Sequence, residues 1–486
     1  MRALIIIIGL SFSLLARAQL YDAQWALGIN ESVLDFRNTD TVIIYSLPTV
    51  ESCTLTTASI CDESGNLLFY TNGISICNTQ NVLLNGEGLN PCLYTQADSL
   101  DGLNIQQAAL FLPMPGSLRY YYLFHFSNDT LQNSRPGTIY SSLIDKEGNG
   151  GLGEVIQKNV PILQGHILRG GGMTACKHAN GRDYWLIMGA SVTNMFYKFL
   201  ITPNGILGPY TQNIGPQYPL PYDIAYSKFS QDGSKFVTGA VEGLVLVMDF
   251  DRCSGEFSNP VTIFNDASTI PGVAISGSAA VEFSPNNRFV YVSDRIYLVQ
   301  YDLLSTNIQD STQLYSEDST TSYGIHVLQA APNGKIYAST WGGGLGAIHV
   351  INYPDLKGDS ADFVYGGQPT YSIPSVALPN LINYKLGPLV GSGCDTITAI
   401  TEVRAEIQEP RVIPDPADKY AYVEMGMQGN YEFDLLNVAG QVVDRKETRQ
   451  VDIFNTESLS AGVYFIRVVD RNSGNEIASR KLVIMH

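Results

Sequence analysis

The stretch FSQDGSKFVTGA, residues 229–240, returns as FSPNNRFVYVSD at residues 283–294. A phrase copied in this way constrains the fold more than any single residue, because self-similarity at a fixed period means one structural unit repeated along the chain. In the first copy, Lys228 to Ser230 ends a strand, Asp232 and Gly233 make a tight turn, and Lys235 to Gly239 alternates back as a second strand. Asp-Gly supplies the positive φ values that a two-residue hairpin turn requires. LVLVMDFD, residues 244–251, then reads as a third strand.

The unit recurs in TACKHANGRDYWLIMGA, VEFSPNNRFVYVS and LQAAPNGKIYAST, and upstream in ASICDESGNLLFYTNG and ALFLPMPGSLRYYYLFHFS. Turn centres fall near Gly65, Gly116, Gly181, Gly233, Asn287 and Gly334, at intervals of about 47 to 65 residues. Small antiparallel sheets at that spacing are the mark of propeller blades, each too small to bury both faces alone. Six units are clear. Two strand-like stretches remain, Gln24–Ser46 at the front and Ser375–Lys385 at the back, and together they are expected to form a shared seventh blade. The expected fold is therefore all-β, a seven-bladed β-propeller over residues 21–386 followed by a small C-terminal β-sandwich.

Composition agrees with a globular, strand-rich chain: only 15% of the 486 residues are charged, while Tyr reaches 28 and Gly 45. The opening MRALIIIIGLSFSLLARAQ sets one Arg before an apolar run and ends on Ala16 and Ala18, which reads as a signal peptide over residues 1–18. The run is shorter than the roughly 20 residues that span a bilayer, so the mature chain is expected to be exported, soluble and without a transmembrane segment. Net charge is -17, and loss of Arg2 and Arg17 with the leader makes it more negative still. Such a surface repels phosphate backbones and argues against nucleic acid as a partner. Of seven cysteines, Cys53, Cys61, Cys77 and Cys92 lie within forty residues, which in an exported chain suggests bridges among them, with connectivity open and at least one thiol left over. No C-x-x-C occurs, so zinc spacing is absent.

The phrases WALGINESVLDF, DESGNLLFYTNG, DYWLIM, KFSQDGSKF, VEFSPNNRFVYVSD, LQAAPNGKIY and LPNLINY, spread from about Trp25 to Tyr384, resemble a group of exported seven-bladed propellers of the Bacteroidetes. The resemblance implies the fold and an exported location; that group shares no activity, so no catalytic residue is carried over. Beyond Tyr384 the small, polar run at residues 387–402 reads as a linker. The last part, residues 403–486, is similar to the C-terminal sorting domain of substrates of the type IX secretion system, a small β-sandwich read by the export machinery and usually cleaved afterwards. The matching positions are Pro414, Asp415, Pro416 and Ala417, then Asn437, Gly440 and Gln441, then Leu459, Gly462, Val463 and Tyr464, and finally Lys481 to Ile484. Asp415 stands where the family more often has Asn.

Reactive chemistry is sparse. The six histidines are scattered, with neither H-E-x-x-H nor G-x-S-x-G in the chain. Cys176 and His178 sit two apart on a strand and could share a face, though ordinary packing is the commoner meaning of such a pair. The runs RGGGM and WGGGLG lack the Lys-Ser/Thr of a phosphate loop and read as bends or close backbone approaches. The turn DKEGNGG offers Asp145, Glu147 and Asn149 as calcium ligands, without the distal Glu of a full calcium loop. No other cofactor is expected. These features point to a cell-surface or secreted scaffold, delivered through the periplasm by the type IX machinery, that binds a glycan or a protein. The alternative is a polysaccharide hydrolase or lyase with carboxylates at the propeller channel, whose spacing no linear pattern reveals.

Overall fold

The computed structural model describes residues 19–27, 32–47, 53–80, 82–92, 95–96, 102–127, 137–166, 168–217, 225–240, 244–264, 279–294, 297–308, 310–316, 324–340, 345–371, 378–395, 411–413, 417–425, 430–449, 451–471 and 475–486. Seven antiparallel sheets succeed one another from Gln24 to Pro369, three-stranded in the first two and four-stranded in the other five. Each is a meander in which every strand pairs with the next in sequence. Their first strands are Gln24–Leu27, Ala58–Cys61, Ala109–Pro113, Thr174–Lys177, Ala225–Phe229, Ala279–Phe283 and Ile325–Ala330. Strands such as Ala58–Cys61, Ala109–Pro113 and Thr174–Lys177 are buried throughout. Fourth strands such as Gly205–Asn213 and Phe363–Pro369 are largely exposed. Burial falls from the axis outward, and one continuous apolar core runs through all seven sheets. That layout is a β-propeller.

The ring closes where the first sheet meets the seventh. Trp25 and Phe36 both lie against Tyr337, with ring centroids 5.7 and 5.5 Å away. The Tyr371 amide also donates to Ser32 Oγ at 3.0 Å. All six turn centres of the repeat have positive φ, from 62° at Asn287 to 87° at Gly65. The turn itself differs from expectation. At the opening phrase only Gly233, not Asp232, has positive φ, and the Ser230 amide donates to Lys235 O. The loop is thus longer than the two-residue turn. Asp232 serves differently, accepting the Ser234 amide and the Ser230 hydroxyl on Oδ1. At Gly233 a Cβ would also lie 2.8 Å from Arg252 and from Cys176 Sγ, so packing and backbone both require glycine there.

The shared closing blade is a second correction. Gln24–Ser46 makes a sheet of its own, and residues 378–385 form no strand. Of the expected back strand, residues 375–377 lie outside the described residues. Leu378 to Lys385 instead runs as a strap along the axis. Its hydrogen bonds, mostly from side chains, reach several sheets at once, which a strand paired in one sheet does not do. Asn380 is the hub: its amide donates to Thr57 O at 2.9 Å, and its Nδ2 donates to Ala109 O at 3.0 Å and Met173 O at 2.9 Å. Gln107 Nε2 donates to Asn380 Oδ1 at 3.2 Å and to Ser227 O at 3.2 Å. The Tyr384 hydroxyl donates to Phe111 O at 2.8 Å.

The chain after the strap stays on the propeller, although its composition reads as a linker. Arg252 Nη2 donates to Gly387 O at 2.6 Å, and the Leu389 amide donates to Ala179 O at 2.7 Å. Cys394 is then joined to Cys253 by a disulfide that spans 141 residues of sequence. Neither partner belongs to the four early cysteines. Cys61 and Cys176 are buried, and burial pushes both thiols up, that of Cys176 to about 12.

At the C-terminus a three-stranded sheet and a four-stranded sheet enclose a separate core of Ala421, Phe433, Phe454, Ile466, Leu482 and their neighbours. The alternation of apolar residues in YEFDLL and GVYFIRVVD places one face of each strand in that core.

Candidate functional site

A cavity of about 290 Å³ opens where the strap leaves the axis. Three residues at its base come from successive sheets. Lys228, Glu282 and Gln329 each lie five residues before a positive-φ turn residue, and each occupies the next-to-last position of a first strand. Because these strands pack side by side around the axis, equal positions in the repeat become neighbours in space.

The base is a closed polar network. Lys228 Nζ donates to Gln329 Oε1 and, at 3.4 Å, to Leu381 O of the strap, with Glu282 Oε2 3.7 Å away. Glu282 accepts the Phe283 amide on Oε1 at 3.0 Å and the Ala330 amide on Oε2 at 2.9 Å. Both side chains are almost wholly buried, at 6% and 2% exposure. Loss of water pushes the Lys228 ammonium down and the Glu282 carboxyl up, and each partner partly offsets the other's shift. A buried pair is tolerable when hydrogen bonds complete it, as they do here.

The strap and the N-terminal segment build the rest of the wall. Leu381, Ile382, Asn383 and Lys385 line it, with Pro285 and Pro332 from the turns. Asn383 Nδ2 donates to Gln231 O at 2.7 Å, which fixes the strap's course. Asp22 also faces the cavity, its Oδ1 3.7 Å from Lys385 Nζ. That oxygen is buried and makes no hydrogen bond, and desolvation raises the carboxyl's pKa.

The sequence singled out none of these residues. A signal was present: counting five back from each turn centre gives Ile60, Phe111 and Cys176 in three units but Lys228, Glu282 and Gln329 in the other three. Polar residues at a position that is apolar elsewhere mark the side of the ring where the cavity lies.

The residues that the sequence did single out serve other ends. Both Asp145 oxygens are held by Arg119, at 2.7 Å from Nε and 2.6 Å from Nη2, and Glu147 lies 3.5 Å from the same guanidinium. Asn149 takes a left-handed turn conformation. Two of the three calcium candidates thus face Arg119, which already supplies a positive charge, and no group of three or more His, Cys, Asp or Glu side chains placed to hold a metal occurs among the described residues. Cys176 and His178 do not meet: His178 Nε2 bonds Cys253 O at 3.0 Å, while Cys176 is packed among Trp185, Phe236 and their neighbours. In RGGGM, a Cβ at Gly171 would come 2.6 Å from Ala225 O, a close backbone approach as expected.

In the C-terminal unit, Gly440 has φ 77° in the turn that Asn437 closes, and Gly462 opens the strand Gly462–Asp470. The Tyr464 hydroxyl donates to Ser460 O at 3.0 Å, and Lys481 pairs with Phe465 across strands. Pro414 and Pro416 lie outside the described residues.

A β-propeller followed by a small two-sheet unit is the class that this architecture defines. Residues 411–485 match the family of secretion system C-terminal sorting domains, so the chain ends in a type IX sorting domain and is exported to the cell surface or secreted. No curated protein matches the chain. Among solved structures it is similar to a candidate 6-phosphogluconolactonase from Bacteroides fragilis NCTC 9343, at 14% identity and a TM-score of 0.45, over 74% of this chain and 98% of that one. It is also similar to the periplasmic gluconolactonase PpgL of Pseudomonas aeruginosa, at 14% identity and a TM-score of 0.34, over 75% and 96% of the two chains. Likeness at this level carries nothing about chemistry. Among the described residues, no helix is long and apolar enough to cross a membrane.

Proposed function

We propose that this chain is a binding scaffold which the type IX machinery carries through the periplasm and across the outer membrane, and whose cavity at the end of the strap holds a glycan or protein ligand. The observation that supports this is an open cavity of about 290 Å³, walled by Asp22, Gln231, Asn383 and Lys385 over the closed base of Lys228, Glu282 and Gln329. A concavity in which polar groups converge beside apolar ones such as Leu381, Ile382 and Pro332 is the usual form of a ligand site. A hydrolase or lyase is favoured less, because both Glu282 oxygens already accept backbone amides.

Ala331 lines the cavity, and Ala331→Trp would fill it without touching the base. Thermal shifts of the full chain against a library of neutral sugars, acidic sugars and short peptides should show at least one stabilising ligand, and the Ala331→Trp variant should lose that shift while keeping its own melting temperature within a few degrees. A ligand that stabilises both proteins equally would place binding elsewhere, and release of new reducing ends from a polysaccharide would favour the hydrolase.

Export has its own test. Lys481 to Ile484 pair along Gly462–Phe465 and complete the four-stranded sheet. Deleting residues 481–486 should leave a folded propeller in the periplasm, as read by fractionation of a type IX-competent host. Normal amounts of the truncated chain at the surface or in the medium would refute the sorting role.

A further inference from the structure

We infer that Lys228 and Gln329 join covalently, the lysine amine displacing ammonia from the glutamine side-chain amide to leave an isopeptide bond, and that Glu282 moves the protons. The inference goes beyond ligand binding and does not depend on it.

The three residues come from the first strands of the fifth, sixth and seventh sheets, and all three are buried. Lys228 Nζ has three neighbours: Gln329 Oε1, Leu381 O at 3.4 Å and Glu282 Oε2 at 3.7 Å. Because Nζ bonds the amide oxygen directly, the electrophilic carbon lies only one C=O bond, about 1.2 Å, further on. The last torsion of a glutamine is soft, so a small rotation turns the face of that carbon toward the amine.

Attack needs a neutral amine, since an ammonium has no lone pair. Burial presses the Lys228 ammonium down and the Glu282 carboxyl up, so a proton can pass from one to the other. Glu282 is held in place for this: its oxygens accept the Phe283 and Ala330 amides, and each keeps a second lone pair, so Oε2 can face Nζ as well. Fixing groups 101 residues apart at contact gives an effective concentration on the order of 10⁵ M or higher, which an otherwise slow amide exchange requires.

The step balances without oxidant or cofactor. The ammonium gives one proton to Glu282, and the freed lone pair attacks Gln329 Cδ. Nζ and Nε2 then share one carbon, close enough together for Glu282 to serve both. As the Cδ–Nε2 bond breaks, Nε2 takes the proton from Glu282 and leaves as ammonia through the open cavity, and Nζ passes a second proton to Glu282. A buried ion pair is thereby replaced by a neutral amide and a neutral acid, which removes the cost of keeping two charges out of water.

A second trio shows what the reaction requires. Lys198 Nζ donates to Gln212 Oε1 at 3.1 Å and to Glu256 Oε1 at 2.7 Å, so the same three side chains meet. The Glu256 side chain, however, is 57% exposed, and Gln212 is fixed from both sides by Phe257, whose amide donates to Oε1 and whose carbonyl accepts from Nε2. That carboxylate lies in water and that amide cannot turn. Gln329 has one backbone tie, from Nε2 to Ala330 O at 3.1 Å.

Peptide mapping of the reduced full-length chain by mass spectrometry tests this. The map should contain a branched peptide that joins Lys228 to Gln329 and is lighter by one ammonia than its two arms together, with no such branch between Lys198 and Gln212. Gln329→Ala should abolish the branch, and Glu282→Gln should slow its formation during refolding by roughly 100-fold or more, the scale of acid–base catalysis. Recovery of Lys228 and Gln329 only in linear peptides from folded wild type would overturn the inference, a result that requires no variant to fold. Formation at the wild-type rate in Glu282→Gln would remove Glu282 from the reaction. A branch found in chains from a type IX-competent host but missing from chains folded in a purified translation system would mean that an enzyme makes the bond, and would refute the self-reaction.

Discussion

Replacing Asn380 by alanine is expected to destabilise the propeller by about 3 to 5 kcal/mol, the scale of losing a buried hydrogen-bonded hub. The residue is 3% exposed, and its side chain bonds Ala109 O, Met173 O and Gln107 Nε2. Truncation leaves two carbonyls and an amide without their partner in a site that water does not reach, at about 1 to 3 kcal/mol each before relaxation. Asn380→Asp should also be costly, because a carboxylate cannot donate to the two carbonyls. Urea denaturation followed by tryptophan fluorescence measures the loss. A shift of less than about 1 kcal/mol would mean that the strap can leave the axis at little cost, contrary to the hub role.

Acid should weaken the fold well above the pH at which carboxylates protonate. His125 is fully buried; its Nδ1 lies 2.8 Å from Asn90 Oδ1 and its Nε2 2.9 Å from Ser142 Oγ. Asn90 Nδ2 donates to Gly73 O, so Oδ1 is the acceptor for Nδ1–H and the ring's other nitrogen accepts from the serine hydroxyl. The set resembles a Ser-His-Asp triad with an amide in place of the acid, and it is sealed in the core, so it is structural. Burial lowers the His125 pKa to about 3 and that of His349 to about 4. An unfolded histidine takes up its proton near pH 6.5, while the folded ones refuse it until far lower, so the stability they lend is complete above about pH 6.5 and is lost as pH falls toward their folded values. For His125 alone the loss between pH 6.5 and 4.5 should be about 2 to 3 kcal/mol. The depressed carboxyls of Asp232, Asp249, Asp251 and Asp302 act in the same direction, but only below the ordinary carboxylate range. Asp22 and Glu282, whose carboxyls are raised by burial, act the opposite way and are relieved by acid. His125→Gln should start less stable at neutral pH and show a flatter slope between pH 6.5 and 4.5. An equal slope in wild type and variant would disprove the assignment.

The repeat carried most of the ring in plain view. Its turn centres lie where positive φ occurs, and the phrases around them fold as the hairpins they spell. The strap was misread because LPNLINY is as apolar as a strand, and alternation cannot tell a backbone that pairs in one sheet from one that spreads its bonds over several. The cavity was hidden for a related reason. Lys228 and Glu282 are more than fifty residues apart, and only the superposition of repeat on repeat brings them into one row. Asp22 and Lys385 come from opposite ends of the propeller, a distance along the chain that no local pattern bridges. The bridge between Cys253 and Cys394 was equally out of reach, since spacing alone favoured the early cluster.

That bridge determines where tension goes. The sorting domain is the handle by which the export machinery holds the molecule, and any pull on it travels back along the backbone toward Gly387 and Lys385. At Cys394 the load meets a covalent bolt to Cys253, in the loop that joins the third and fourth strands of the fifth sheet. It is passed into the body of the ring there, several residues short of the strap. Asn383 and Lys385 therefore stand outside the loaded stretch, and the wall of the cavity is expected to keep its shape while the handle is pulled.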